Sequence, residues 1–504
     1  MAKPTHAFLG VDVGTSAVKA VVVSVDGRVL GESSVEQVVD SPRAAWTEQH
    51  PDTWWQSSRA AISSAMEAAR LGNDAIELLG AGLTGQMHSA VFLNSAGQVI
   101  RPAPLWSDAR TAPQCREITE KLGESGLRDT VGNLALEGFT APKILWLRQA
   151  EPRNYARLKH VMLAKDYVRY RLTGEIATDP SDAAGTLLFD VRQRRWSTEV
   201  AKALEIPVDL LPEVVGSTDV SGIVGHGAAE DLGIPANTPI MGGAADNAAG
   251  AVGSGVVEVG RVLSSIGTSG TLLAPIDRVR VDDRMRLHTF CHCVPDMWYL
   301  MGVMLSAGNS LRWLRNILLP SGNDDAYAIL TSEAATVPPG AEGLLFLPYL
   351  TGERTPHNDP SARGVFSGLH LGHTRADLVR AVMEGVCFAM RDSLELVREL
   401  HGPVPEIRAI GGGSKSDLWL QLQADIYGVP VVTVGPGSGP AYGAAALAAV
   451  GTGAFESILE ATDAWLHVER TIEPDPARVR AYDDIYGAFK ELYPALKSTF
   501  ARNV

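Results

Sequence analysis

The chain has 504 residues, 45% of them hydrophobic and 20% charged, and a formal net charge of −14 at pH 7. One hydrophobic core does not extend over that length, so at least two large domains are expected. The acidic balance disfavours nucleic acid or an anionic membrane as the main partner, and a polyanionic ligand would need local cations or backbone donors. Four cysteines are too few for a disulfide scaffold and fit a reducing compartment; with no signal-peptide pattern before Asp12, a cytoplasmic location is expected.

In chain order, the first elements are three strands, His6 to Val13, Val18 to Val25 and Arg28 to Val35, the last two joined by the hairpin turn Asp26-Gly27. A helix follows over Asp52 to Arg70, with Pro51 and an acidic first turn at its start. Glu77 to Leu83 is a buried strand running into Thr84-Gly85-Gln86-Met87-His88. Ala90 to Leu93 and Gln98 to Arg101 are expected to pair across Asn94-Ser95-Ala96-Gly97. The Gly-rich stretch 250–260 suits a hinge between halves, dividing the chain into 1–253 and 254–504. In the second half Val262 to Ile266, Gly270 to Ala274 and Trp298 to Val303 read as strands, and Arg375 to Leu400 as a long amphipathic helix. Ile407 to Ile410 is a strand that enters Gly411-Gly412-Gly413; Asp417 to Tyr427 is a helix and Val429 to Val434 a strand. Thr433 to Phe455 is uncharged but holds six glycines and two prolines, which reads as a turn and a small-residue helix and not as a membrane span.

The chemistry starts from a repeat. Gly14-Thr15-Ser16 recurs half a chain later as Gly267-Thr268-Ser269, each time in a turn after an apolar strand. Such a turn offers amide and hydroxyl donors to phosphate, so two of them suggest related halves gripping one nucleotide. Walker-type Gly-Lys-Ser/Thr and the Rossmann glycine pattern are both missing. Asp12, at the end of the first strand, would repel phosphates unless Mg²⁺ lay between, usually through water; otherwise it is a strand-end residue capping its own turn. Asp246 is the only charge between Ile234 and Val257. A lone carboxylate in so apolar a run suits a general base that takes a proton from a hydroxyl attacking phosphorus, and it also suits an N-cap for a helix starting at Asn247. Gly412 and Gly413 lie where a flat ring such as adenine could rest against backbone, although a tight strand-to-helix turn explains them equally well. Cys291-His292-Cys293 has no second cluster at zinc spacing and reads as part of a strand.

These residues resemble the FGGY carbohydrate kinases of the actin/hexokinase-like superfamily. The resemblance runs over nearly the whole chain, through Gly10–Ser16, Trp46–Gln49, Gly85–His88, Phe139–Trp146, Lys165–Tyr167, Asp182–Thr186, Gly243–Asn247, Ser265–Ser269 and Gly352–His357. It implies an α/β fold of two actin-like (ribonuclease H-like) lobes, with a nucleotide and sugar cleft between them. It implies Asp246 as the catalytic base and Asp12 as the residue beside Mg²⁺ and the γ-phosphate. Thr15, Ser16, Gly267 and Thr268 fall at phosphate positions, and Gly412, Gly413 and Ser416 on the adenine side. Met87 and His88 match the sugar-contacting pair of the branch that acts on xylulose, with Trp106 and Asn247 beside the sugar; the glycerol branch resembles Arg-Glu at that pair instead. The implied activity is ATP-dependent phosphorylation of D-xylulose, with ATP and Mg²⁺ as cofactors. Another ketose or polyol is the alternative acceptor, a non-catalytic actin-like sugar sensor the alternative class, and a homodimer an expected assembly. Ser89, Leu105–Arg110 and Ser416 depart from commoner family patterns.

Overall fold

The strand Thr5–Val13 is buried on both faces along most of its length, which is the pattern of a central strand. The computed structural model describes residues 4–73, 75–319, 325–435, 437 and 439–502. In it this strand lies between Ala17–Ser24, its antiparallel neighbour, and Ile76–Gly85, its parallel one. Among the described residues the sheet has seven strands. Val29–Glu36 lies outside Ala17–Ser24, and Pro239–Met241 with Val220–Ile223 lies beyond Ile76–Gly85. The short strand Ala244–Ala245 also pairs with the end of Ile76–Gly85.

The second half repeats this plan. Arg261–Ile266 has Gly270–Ile276 as its antiparallel hairpin partner and Glu406–Gly411 as its parallel neighbour. Trp298–Met304 then extends one side, while Val431–Val434 and Val468–Ile472 extend the other. Both Gly-Thr-Ser turns therefore connect the central hairpin of their own sheet. The two α/β lobes are the architecture expected from the sequence.

Helices cover the sheets with their apolar faces. Pro51–Leu71 begins at Pro51 with His50 as N-cap, and buries Trp54, Ile62 and Met66. Arg375–His401 starts from a capping box between Thr374 and Asp377. The small-residue run forms the helix Pro440–Gly451; positions 436 and 438 of the preceding turn lie outside the described residues. This helix crosses from the second half to pack on the first sheet and on Asp246–Val252. A Cβ on Gly82 would come 1.9 Å from the Ala444 carbonyl, and one on Gly443 would come 1.9 Å from the Ala249 carbonyl. Backbone-to-backbone approach, rather than a membrane, explains the composition of the run. No helix among the described residues is long and apolar enough to cross a membrane.

The expected hairpin across Asn94–Gly97 is short: Val99 bridges to Leu93, the Ile100 N–H donates to the Phe92 carbonyl at 2.9 Å and the Asn94 N–H to the Gln98 carbonyl at 3.0 Å, while Val91–Leu93 also pairs with His160–Met162. Pro102 supplies no N–H to continue a ladder, and Arg101 is drawn into buried ion pairs with Glu48 and Glu151. All four cysteines are free and buried; Cys291 Sγ turns to the Val191 carbonyl and Cys293 Sγ to that of Ala248.

Candidate active site

Three strand ends converge at one edge of the first sheet. Asp12 stands in register with Thr84, and Thr84 with Ala244. Two strand spacings separate Asp12 from Ala244, about 10 Å between their backbones. Asp246 follows as the first residue of the helix Asp246–Val252, with Ala245 as N-cap. The sequence places the helix start at Asn247 with Asp246 as its cap; the structure moves the start one residue earlier. Asp246 Oδ1 nevertheless accepts from the Asn247 backbone N–H at 2.7 Å and from Asn247 Nδ2 at 2.9 Å.

Both carboxyls are held away from their ordinary range. Burial pushes Asp246 up to about 6, against the two Asn247 hydrogen bonds. Asp12 is pushed up to about 7, first by burial and then by the charge of Asp246, with Lys19 acting the other way. Asp12 Oδ1 is buried and accepts no hydrogen bond from the described residues.

Met87 lies against Asn247, the residue after Asp246, and His88 follows Met87 in the chain. Asn247 Nδ2 reaches Met87 Sδ at 3.6 Å. His88 takes a left-handed backbone conformation with φ 68°, uncommon for a residue with a side chain. Its carbonyl is fixed there by Lys143 Nζ at 2.9 Å and Thr140 Oγ1 at 3.1 Å. Its Nδ1 lies 2.6 Å from the Gly185 carbonyl. Burial pushes the ring down to about 3, the Gly185 contact opposing and Lys143 and Arg354 adding to the shift. The neutral ring thus carries its proton on Nδ1, donated to Gly185, and keeps Nε2 as an acceptor. Phe139 packs against the ring, with centroids 4.6 Å apart.

Trp106 Nε1 donates to Thr15 Oγ1 at 2.9 Å, and Thr15 Oγ1 donates to Gln86 Oε1 at 3.2 Å. The Thr15 hydroxyl therefore faces Trp106, leaving the amides of Thr15 and Ser16 without an acceptor among the described residues. Ser16 is exposed at the tip of the turn.

The remaining expected residues meet in the second lobe. Gly267, Thr268, Gly412, Gly413 and Ser416 line one cleft of about 820 Å³, a size ordinary for a small-molecule site. Ser416 accepts from the Trp419 N–H and caps the helix Asp417–Tyr427 while facing the cleft. Thr15 and Ser16 do not line this cleft; their turn lies at the end of the first sheet with Asp12.

The structure adds residues the sequence reading left out. Arg312 and Tyr327 line the nucleotide-sized cleft from two helices. Gln86 ties Thr15 to Ser89 and Gln49. Arg354, from the second half, lowers the pKa of His288 in its own lobe and of His88 in the other. It shares a cavity of about 670 Å³ with Glu137 of the first half. Arg354 carried a signal inside the Gly352–His357 motif and Gln86 inside Gly85–His88; Arg312 and Tyr327 read as polar faces of ordinary helices.

A family model described as the FGGY family of carbohydrate kinases, N-terminal domain, matches residues 7–253, and the C-terminal domain model matches residues 262–452. The chain belongs to the FGGY family of carbohydrate kinases. As a member of that family it is an enzyme that uses ATP and a sugar as substrates. It is 40% identical to a xylulose kinase of Bacillus subtilis (strain 168) over 97% of both chains. It is 38% identical to a xylulose kinase of Escherichia coli (strain K12) over 97% of this chain and 99% of the relative. A crystal structure of a xylulose kinase from Rhodospirillum rubrum superposes with TM-score 0.90 at 31% identity, covering 98% of this chain and 99% of that one. A gluconate kinase from Lactobacillus acidophilus superposes with TM-score 0.92 at 25% identity, covering 99% of this chain and 100% of that one. Likeness of fold alone thus does not select the acceptor, and the pocket beside Asp246 has to do so.

Proposed function

We propose that this kinase transfers the γ-phosphoryl group of ATP to D-xylulose, giving D-xylulose 5-phosphate. The observation that carries the reading is the contact of Met87 with Asn247 next to Asp246, with the neutral His88 following Met87, in a chain 40% identical to a xylulose kinase along its length. The lobe of residues 1–253 holds the sugar and the first phosphate turn, and the lobe of residues 254–504 holds ATP. The terminal hydroxyl of the sugar attacks the γ-phosphorus. The new oxygen–phosphorus bond forms as the bond to the bridging oxygen breaks, ADP leaves with that electron pair, and the hydroxyl proton passes to Asp246.

Adenine rests against Gly412 and Gly413, with Ser416 and Trp419 at the cleft wall, while the amides of both Gly-Thr-Ser turns and Arg312 face the phosphates. Mg²⁺ fits Asp12. The donor set is oxygen, Asp12 Oδ1 is an orphaned buried acceptor, and no cage of three or more metal-binding side chains exists among the described residues. That suits an ion held by one or two carboxylates, waters and substrate phosphates. When bound, it neutralises charge on the phosphates. Lobe closure then excludes water and aligns the hydroxyl.

The deciding experiment is a coupled ADP-release screen over pentuloses, polyols and gluconate. The expected result is turnover with D-xylulose at the highest kcat/KM; a higher value for another acceptor would reassign the substrate.

Two variants test the sugar site. His88→Ala is expected to raise the KM for D-xylulose several-fold and to leave the KM for ATP nearly unchanged, since one lost hydrogen bond costs about 0.5–1.5 kcal/mol. A shift in the ATP value alone would move His88 out of the sugar site. Thr15→Val deletes the hydroxyl that receives Trp106 Nε1. It too is expected to act on the sugar KM more than on the ATP KM; the opposite pattern in steady-state kinetics would make that hydroxyl a phosphate contact.

A further inference from the structure

The segment that delivers Asp246 is weak by itself. Ala244–Ala245 is a two-residue strand, paired on one side only, with Thr84 and Gly85. The backbone of this strand and of Gly242-Gly243 before it is held by groups of another region. The Ala245 N–H donates to Ser181 Oγ at 3.0 Å. Arg169 Nη2 donates to the Gly242 carbonyl, and the Ser217 carbonyl accepts from the Gly243 N–H at 2.9 Å.

Ser181 and Ser217 converge on one carboxylate, and Arg169 joins it through Asp166 and Lys165. Asp179 Oδ2 accepts from the Ser181 backbone N–H at 2.8 Å, from Ser181 Oγ at 2.5 Å and from Ser217 Oγ at 3.0 Å. Asp179 Oδ1 lies 3.0 Å from Lys165 Nζ. Lys165 also meets Asp166 at 2.7 Å and Asp182 at 3.1 Å, and Arg169 meets Asp166 at 3.1 Å. All five ionisable side chains are 0% exposed. Burial and the neighbouring carboxylates hold the Asp182 carboxyl well above its usual range, against Lys165. Ions buried this deeply seldom stabilise a fold more than apolar residues of the same volume would, so their presence here calls for another role. Lys165 lies directly beneath the converging strand ends: a Cβ on Gly85 would come 3.3 Å from Lys165 Cβ and 3.1 Å from Val13.

We propose that Ser181, Asp179, Lys165 and Arg169 are positioning residues for the reaction, fixing the backbone at Gly242 and Ala245 and so the place from which the Asp246 carboxylate meets the acceptor hydroxyl. The inference rests on Asp246 being the base. The cluster touches neither substrate; it acts through the two-residue strand, and a small displacement of a base costs rate more than binding.

Ser181→Ala removes one acceptor and leaves the Lys165–Asp179 pair in place. In the full-length enzyme kcat is expected to fall about tenfold or more, with both KM values within about twofold of the parent. Ser221→Ala is the matched control. Ser221 Oγ donates to the Ile240 and Met241 carbonyls, one step upstream of the segment. Its loss is expected to lower Tm comparably and to leave kcat unchanged. If the alanine protein does not fold, Ser181→Cys keeps a weaker acceptor of similar size and is expected to show an intermediate loss of kcat. A kcat within twofold of the parent in the folded variant, or KM values that rise in step with the loss, overturns the positioning role. Asp246→Asn measured in parallel separates the two readings. If it retains turnover, the base assignment fails; if it is inactive while Ser181→Ala is fully active, only the positioning inference fails.

Discussion

Asp246→Asn is expected to lower kcat by about 10²–10⁴-fold or more while ATP still binds. Asparagine keeps the shape of the side chain and its place at the head of the helix, but it cannot take a proton. The carboxyl is pushed up to about 6 by burial, so it is a better proton acceptor than an exposed aspartate and is still largely ionised at pH 7. The base has to be deprotonated to act. In the parent enzyme kcat/KM for the sugar is therefore expected to fall as pH drops through about 7 and about 6, where Asp12 and Asp246 titrate, and to level off above; the residual activity of the variant should lack the limb near 6. Equilibrium titration of ATP together with the pH–rate profile checks both statements. Near-normal turnover in the purified variant would remove Asp246 from the chemistry.

Asp12→Asn is expected to reduce kcat by about 10²-fold or more, with a raised Mg²⁺ requirement. It is also expected not to lower the Tm of the free protein above pH 7, and the physical reason is linkage. The Asp12 pKa is raised to about 7 in the folded chain, by burial and by Asp246. The native state thus holds this proton more tightly than the unfolded chain, whose aspartates titrate near 4. The corresponding stability is present at acid pH and is lost as pH rises from about 4 to about 7, leaving a buried, ionised, repelled carboxylate that asparagine does not reproduce. A fall in activity with an equal or higher Tm at pH 8 is the signature of a residue kept for function at a cost in stability. A variant with both lower Tm and unchanged Mg²⁺ dependence would make Asp12 a structural residue.

By itself the sequence determined the elements whose signals are local. The strands beginning at Thr5, Arg261 and Glu406 follow from continuous apolar runs, and the helices Pro51–Leu71, Arg375–His401 and Asp417–Tyr427 from periodicity bounded by caps. The repeated Gly-Thr-Ser turn announced two related halves, because a turn between a strand and its hairpin partner is fixed by a handful of neighbouring residues. The isolation of Asp246 among small residues was equally visible. Tertiary structure decided what depends on partners far along the chain. Val91–Leu93 keeps its short hairpin with the adjacent segment and gains His160–Met162 as a second partner, since strand pairing rewards any complementary edge and not only the nearest. The Thr15 hydroxyl turned to Trp106, the His88 proton was fixed on Nδ1 by Gly185, and Arg354 reached His88 from the other half. Lys165 stood in a resemblance motif without a role, and Asp179 and Ser181 carried no signal until folding buried them beneath Ala245. Periodicity and turn chemistry act over a few residues and are written into the order of the chain. Desolvation, charge coupling and long-range hydrogen bonds act through space, and exist only once the chain has folded, as where the helix Pro440–Gly451 closes on the first sheet and on Asp246–Val252.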